Sequence, residues 1–165
     1  MSVMASRSFR AAEYKVKGRS EVAKAVEEAR SQGKTVVFTN GCFDILHIGH
    51  VRYLQDARAL GDVLVVGVNT DAGIRRIKGE KRPIVPETDR VGVLGELESI
   101  DYLVRFDEDT PIHLIQSILP DVLVKGADYE KEQVVGWDIV EAAGGRVALA
   151  PLIDGRSTSN LIRRI

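Results

Sequence analysis

Short β-branched runs alternate with helix-like stretches along this chain, and that alternation limits its fold more than any other feature. Several of the runs are continuously apolar, as expected for parallel strands that are buried on both faces. The runs are Thr35–Thr39, Val63–Val68, Tyr102–Arg105, Val122–Val124 and Arg146–Ala150. The pattern predicts an α/β fold with a single doubly wound, mainly parallel sheet of the Rossmann-like type.

The same pattern predicts the domain boundaries. Residues 1–17 are expected to be a poorly ordered lead-in, and residues 18–165 a single domain that begins with a helix over residues 21–32. Further helices are predicted at residues 49–60, 70–77, 87–99, 111–118, 132–143 and from about 157. The segment Lys78–Pro86 interrupts the rhythm with several charges and two prolines, so it is predicted to be a loop.

Charge and hydropathy exclude several classes of function. The formal net charge of −1 gives no support for nucleic-acid binding, which requires a basic face. No apolar run approaches the roughly 20 residues that span a bilayer, and residues 1–10 lack the apolar core of a signal peptide. Cys42 is the only cysteine, so neither an internal disulfide nor a cysteine-based zinc cluster can form. We therefore expect a cytoplasmic enzyme or binding domain without a nucleic-acid or membrane partner.

Polar segments follow four of the predicted strands. Ligands of doubly wound sheets bind at the carboxyl ends of the strands, near the point where the strand order reverses. The segments are Asn40–Asp44, Asn69–Asp71, Lys125–Tyr129 and residues 151–158. The pattern therefore predicts that these four segments meet at one cleft.

The turn after the first strand carries two histidines at the start of a helix. His47 and His50 flank Gly49, and a strand, a glycine-containing turn and a helix N-terminus are the parts of a phosphate site. Two imidazoles there can donate hydrogen bonds to phosphate oxygens and stabilise the charge that develops in nucleotidyl transfer. A two-histidine metal site is the rival chemistry. We predict no protein-held metal, because Asp44 is equally explained as a turn residue and no convincing third ligand is present.

These motifs resemble a known family. His47-x-Gly49-His50 after a strand resembles the HxGH motif of the nucleotidyltransferase superfamily, and the string Phe38–His47 resembles one branch, the adenylyltransferases of ADP-heptose synthesis. Residues 125–129 resemble the nucleotide-binding KGxDY/W motif of the family, and residues 155–160 resemble its second motif. The resemblance runs from about residue 35 to residue 165.

The resemblance implies a reaction. In this family a phosphate oxygen of the acceptor attacks the α-phosphorus of a nucleoside triphosphate, and pyrophosphate leaves without a covalent enzyme intermediate. The heptose branch implies ATP, Mg²⁺ and D-glycero-β-D-manno-heptose 1-phosphate as the acceptor, with ADP-heptose as the product. Some members of the branch are fused to a sugar kinase. This chain is too short to contain one, so we expect a separate kinase upstream, and we expect a homodimer.

Resemblance and position together assign the site residues. The expected catalytic residues are His47, His50 and Lys81. The expected nucleotide-binding residues are Asn40, Gly41, Cys42, Phe43, Asp44, Gly49, Lys125, Gly126, Asp128, Ser157 and Thr158. The expected acceptor-binding residues are Asn69, Asp71, Lys78 and Arg82.

The basic loop leaves a choice between two lysines. A triphosphate needs cationic partners, and in the wider family a lysine of this region contacts phosphates. Lys78 and Lys81 are both candidates, and Lys81 is favoured because the adjoining Arg82-Pro83 would stiffen the backbone. The alternative is an ordinary solvated loop, which Glu80 supports.

Other residues also have two interpretations. Cys42 fits a small packing residue better than a nucleophile, because transfer to a phosphate needs no protein nucleophile. Ser157 and Thr158 equally fit a helix cap. Arg90 resembles a family arginine but also fits a helix surface.

Two other functions remain as alternatives. One is a cytidylyltransferase that acts on glycerol 3-phosphate or a similar alcohol phosphate. Relatives of that kind often have arginine at the position of Leu152, so its absence counts against this function, although Arg156 or Arg82 could replace the charge. The other is a non-catalytic nucleotide-binding regulator, against which the intact His47 and His50 count.

Overall fold

The structure, a computed structural model, describes residues 12–155 and 157–164. They form a five-stranded parallel sheet in the order β3-β2-β1-β4-β5. The strands are β1 Val36–Gly41, β2 Val63–Asn69, β3 Tyr102–Phe106, β4 Val122–Gly126 and β5 Arg146–Ala150. The helices are α1 Arg19–Ser31, α2 Ile48–Arg58, α3 Asp71–Lys78, α4 Glu87–Gly95, α5 Ile112–Ile118, α6 Trp137–Ala142 and α7 Thr158–Ile162, with short 3-10 helices at Ala12–Lys15 and Lys131–Gln133. The predicted α/β class with one doubly wound parallel sheet is confirmed.

Apolar side chains cover both faces of the sheet, because successive residues of a strand point to opposite sides. In β1, Val36 and Phe38 belong to one core with α1, α5 and α6. Val37 belongs to the other core, with α2 and α4. All three side chains are fully buried, which explains why this strand reads as a continuous apolar run.

The central strand β1 pairs differently with its two neighbours. It pairs with β2 along its whole length, from Val36 opposite Val63 to Gly41 opposite Val68. With β4 it pairs, among the described residues, only where Val37 lies opposite Val122 and Phe38 opposite Leu123. Beyond Phe38, side-chain hydroxyl groups replace the backbone pairing. Thr39 Oγ1 donates to the Val124 carbonyl at 2.9 Å, and Tyr53 Oη lies 3.2 Å from the same oxygen. The sheet therefore opens at the carboxyl ends of β1 and β4 without leaving this buried carbonyl unpaired.

Three segments differ from the prediction, and one of them is α4, which ends at Gly95 although a helix was predicted over residues 87–99. Of the predicted lead-in, residues 1–11 lie outside the described residues, whereas residues 12–17 lie against the edge of the sheet, where Val16 forms a parallel bridge with Leu103. The helix predicted over residues 132–143 begins only at Trp137. Gly136 has a φ of 86°, which interrupts a right-handed helix.

Candidate active site

A cleft opens at the carboxyl ends of β1 and β4, where the strand order reverses. Its volume of about 590 Å³ is typical of a small-molecule site. The predicted site residues that line it are Asn40, Gly41, Cys42, Phe43, Asp44, His47, Gly49, His50, Asn69, Lys78, Arg82, Lys125, Gly126, Asp128, Ser157 and Thr158. Of the predicted residues that the structure describes, Lys81 and Asp71 do not line the cleft. The four predicted segments thus meet at one site.

Backbone amides at the start of α2 orient both imidazoles. His47 is the N-cap residue, and its Nδ1 accepts a hydrogen bond from the Gly49 N–H at 3.1 Å. His50 Nδ1 accepts from the His47 N–H at 3.3 Å. Because an accepting nitrogen carries no proton, each neutral ring has its proton on Nε2. Both histidines are therefore fixed as Nε2–H donors, with ring centroids 4.0 Å apart.

His50 is held in its neutral form. Burial lowers its pKa to about 4, and the neighbouring charges of His47 and Lys78 act in the same direction. A neutral imidazole at pH 7 can donate one hydrogen bond from Nε2 but does not bring a positive charge. His50 therefore brings no positive charge to the cleft, and lysine and arginine side chains can supply it.

The turn between β1 and α2 is strained. Phe43 has a φ of 50° and Ile45 a φ of 54°, in the left-handed region that side chains other than glycine rarely adopt. Ile45 is β-branched, so this conformation is costly for it and must be held by the surroundings. Phe43 is buried and its ring meets His50 edge-on at 5.6 Å. The turn therefore supports the histidine pair from one side.

Lys78 and Arg82 are the cations that the basic loop brings to the cleft. Lys78 ends α3, and Gly79 follows with a φ of 93°, where glycine avoids the steric penalty of a side chain. The chain turns there, and Lys81 is exposed and does not line the cleft. Of the two lysines left open by the sequence, the structure favours Lys78 and does not support Lys81.

Asp71 is a partner of a buried arginine rather than a cleft residue. Its Oδ1 accepts from Arg90 Nη2 at 2.8 Å. The Arg90 side chain is only 1% exposed and also donates to three carbonyls, those of Cys42, Asn69 and Val85, at 2.6, 2.9 and 3.0 Å. Arg90 thus ties the ends of β1 and β2 to α3 and to the basic loop.

Tyr53 was not predicted as a site residue, and Arg90 was interpreted only as a family arginine or a helix-surface residue. The helical spacing of Arg90 is a signal that could have been used, because Leu94 lies one turn further on the buried face of α4. Tyr53 lies three residues after His50 on α2 and lines the cleft, with burial raising its pKa to about 12. Its hydroxyl also contacts Thr39 Oγ1 at 2.7 Å, so Tyr53 joins α2 to the floor of the cleft.

Lys125 crosses the gap between β4 and β1. Its Nζ donates to the Asn40 carbonyl at 3.1 Å, and burial lowers its pKa to about 8. The buried Oδ1 of Asn40 has no hydrogen-bond partner among the described residues, so it can accept a bond from a ligand hydroxyl or amino group. At Gly126, a Cβ would lie 2.5 Å from Asp128 Oδ1 and 3.0 Å from Leu152 Cδ2, so a larger residue there would require these two side chains to move.

The start of α7 closes the other side of the cleft. Ser157 is the N-cap residue and accepts from the Asn160 N–H at 3.2 Å, which supports its capping role. Thr158 Oγ1 donates to the Asp44 carbonyl at 2.8 Å. Arg156 lies outside the described residues. Five further residues line the cleft that were expected there only as parts of their segments, without individual roles: Tyr129, Leu152, Ile153, Asp154 and Gly155.

No assembled metal centre is found among residues 12–155 and 157–164. Asp44 does not fit a magnesium ligand, because its carboxylate is 1% exposed and already accepts from Arg82 and from two backbone amides. Within the same ranges, no helix is long and apolar enough to cross a membrane.

Comparison with known proteins adds a family. The profile of the family described as cytidylyltransferase-like matches residues 38–152. The chain is 59% identical over 151 residues to the bifunctional protein HldE of Citrifermentans bemidjiense, and 58% identical over 151 residues to that of Syntrophotalea carbinolica. In both cases the match covers 92% of this chain but 31% of the relative, so the chain spans about a third of their length.

Solved structures agree with the fold. A lipopolysaccharide core biosynthesis protein from Thermoplasma volcanium is 29% identical, with a TM-score of 0.60 over 73% of this chain and 98% of its own. A pantoate-beta-alanine ligase from Francisella tularensis is 13% identical, with a TM-score of 0.63 over 91% of this chain and 72% of its own, and at that identity it supports the fold alone.

Proposed function

Because this chain belongs to the cytidylyltransferase-like family, whose nucleotidyltransferase class agrees with the sequence prediction, we propose that it transfers AMP from ATP to a sugar 1-phosphate. The acceptor we propose is D-glycero-β-D-manno-heptose 1-phosphate, and the products are ADP-heptose and pyrophosphate. The observation that carries the proposal is the pair of Nε2–H donors at the start of α2, beside the cations Lys78 and Arg82.

The site supports transfer without a protein nucleophile. A phosphate oxygen of the acceptor attacks the α-phosphorus of ATP, and the bond to the bridging oxygen of pyrophosphate breaks. His47 and His50 donate hydrogen bonds to the phosphate oxygens on which negative charge develops, and this stabilises the transition state. Lys78 and Arg82 neutralise the triphosphate, and positioning supplies the rest of the catalysis.

Magnesium enters this proposal only together with the nucleotide. It usually keeps several waters and binds substrate phosphates with few protein ligands. Since Asp44 is fully engaged within the protein, we assign no step to a protein-held ion.

The choice of ATP and of a heptose rests on the motif resemblance and on the relatives. The relatives named HldE are described as bifunctional, in keeping with the branch members that are fused to a sugar kinase. We propose that a sugar kinase supplies the acceptor, and that the chain acts in the cytoplasm as a homodimer. Leu152 is 51% exposed on the cleft wall, where an apolar side chain favours the heptose branch over the cytidylyltransferases with arginine.

The test is pyrophosphate release with ATP or CTP, each combined with heptose 1-phosphate or glycerol 3-phosphate. We expect the highest kcat/KM for ATP with heptose 1-phosphate. His50→Ala is the control and should lower kcat by about 10²–10³, the usual cost of a lost transition-state donor. A preference for CTP would contradict the heptose assignment, and nucleotide binding without any turnover would indicate a regulator.

A further inference from the structure

The carboxylate of Asp44 is saturated by donors from one short segment. Oδ2 accepts from Arg82 Nε at 2.7 Å and from the Ile84 N–H at 2.9 Å, and Oδ1 accepts from the Val85 N–H at 2.9 Å. The side chain is 1% exposed. Although burial raises the pKa of Asp44, these hydrogen bonds and the Arg82 charge outweigh burial and leave it below its usual value. Asp44 is therefore an ionised anchor inside the protein and is not available as a base.

Asp44 also connects three segments of the cleft. It belongs to the strained turn before α2, its carboxylate holds residues 82–85, and its carbonyl accepts from Thr158 at the start of α7. The histidines and the basic loop contact phosphates in the proposed reaction, and the last helix borders the same cleft. One residue thus sets their relative positions.

The pairing with Asp44 also determines how Arg82 presents its charge. Among the described residues, the Arg82 guanidinium donates its hydrogen bond to Asp44 through Nε. Its two terminal nitrogens, Nη1 and Nη2, are therefore available to bind an oxyanion. The side chain is 16% exposed and lines the cleft, whereas Lys81 is exposed and does not line it. Guanidinium nitrogens in a fixed plane suit two oxygens of a phosphate.

We propose that Asp44 is a positioning residue that fixes Arg82 as the phosphate-binding cation of the loop, in place of Lys81. This proposal rests on the proposed function, because it names the group that holds the triphosphate during transfer. Asp44 itself touches no reactant and acts through Arg82.

A double-mutant cycle tests the proposal. The variants are Asp44→Asn, Arg82→Ala and the double variant, and each is measured for kcat and for the KM of ATP. Loss of a charge-assisted contact to phosphate should lower kcat/KM by about 10–100-fold in Arg82→Ala. Asp44→Asn should show a similar loss, and the double variant should lose little more than Arg82→Ala alone.

Two further variants separate positioning from folding. Lys81→Ala should have a smaller effect than Arg82→Ala, and Arg75→Ala, exposed on α3, should behave like the wild type. Urea unfolding shows whether each variant is folded at the assay temperature. If Asp44→Asn lowers kcat/KM by the same factor with and without Arg82, the residue acts by another route and the proposal is overturned.

Titration with ATP in the absence of an acceptor gives an outcome that does not depend on turnover. Arg82→Ala and Asp44→Asn should each weaken binding by about tenfold or more. This result would support the positioning role even if no acceptor gave pyrophosphate, in which case only the proposed reaction fails. Wild-type affinity in both variants, or no binding of ATP by the wild type, would overturn it.

Discussion

The two walls of the cleft are held in opposite ways. The anchored wall, residues 40–50 with 78–90, is fixed by two buried charges, Asp44 and Arg90, which are 2% and 3% exposed. The open wall, residues 152–155, is exposed at every position although it lines the same cleft. Phosphate groups need charged partners at fixed positions, whereas the less charged parts of a ligand need shape. On the proposed function, the anchored wall holds the phosphates and the open wall selects the ligand.

Removal of Arg90 should break the anchored wall and have the largest effect. Arg90→Met keeps much of the apolar side-chain stem. It leaves three carbonyl groups without their hydrogen-bond donor and Asp71 without its ion-pair partner. Because each buried group left unpaired costs about 1–3 kcal/mol, the free energy of unfolding should fall by about 3 kcal/mol or more.

Urea denaturation measures this loss, and Arg76→Met is the matched control. Arg76 pairs with Asp107 and Asp109, but its side chain is 44% exposed, so solvent screens both pairs and the loss should be much smaller. Equal losses in the two variants would mean that Arg90 is not an anchor.

His50 should make the anchored wall sensitive to pH. Its pKa is about 4 in the folded protein and close to 6.5 unfolded, so the unfolded chain binds more protons between these values. The stabilisation is therefore complete above pH 6.5 and is lost as the pH falls towards 4, by about 3 kcal/mol. The pKa of Asp44 is also lowered, so its contribution to stability is lost at more acidic pH, as the pH falls below about 3.8.

Urea unfolding at several pH values checks this prediction with His50→Asn, whose amide oxygen can replace Nδ1 as the acceptor but does not titrate. The variant should show a shallower pH dependence than the wild type. His113→Asn is the control, because His113 is exposed on α5 and does not line the cleft. An unchanged slope in His50→Asn would contradict the assignment.

Limited proteolysis compares the two walls directly and should give the smallest effect. Ile84, Leu152 and Ile153 are 55%, 51% and 40% exposed, and thermolysin can cut before each of them. The Ile84 N–H is bonded to Asp44, so cleavage should be a few-fold slower there than at 152–153. ATP should protect the open wall more than residues 83–84. Faster cleavage at Ile84, or greater protection there, would reverse the comparison.

The sequence predicted the open α/β sheet well because buried parallel strands have a plain signal. Continuous β-branched runs give the strands, and the polar segments after them give the cleft, since parallel strands end at the same edge. The histidines were found because their helix start is a local feature. These parts of the fold and site depend on neighbours in the sequence.

The remaining parts depend on contacts across the fold. Lys81 was preferred to Lys78 because the adjoining Arg82-Pro83 would stiffen the backbone. The positive φ of Gly79, which separates Lys78 on the cleft from the exposed Lys81, cannot be read from composition. Asp71 was assigned to the acceptor from resemblance and from its position after the second strand. Its pairing with Arg90, 19 residues later, is not visible in the sequence. The basic loop was predicted only as a loop, yet two of its amides donate to the carboxylate of Asp44, about 40 residues earlier. Such pairings arise only when the sheet brings distant segments together.

The hydroxyl groups of Thr39 and Tyr53 have a consequence for how new specificities could arise on this fold. They satisfy the Val124 carbonyl where the backbone pairing of β1 and β4 has stopped. The width of the cleft floor is thus set by side chains, which single substitutions can change, and not by a continuous backbone ladder. A lineage could therefore admit a bulkier base or acceptor by altering positions 39 and 53, while the strand order and the histidine pair stay as they are.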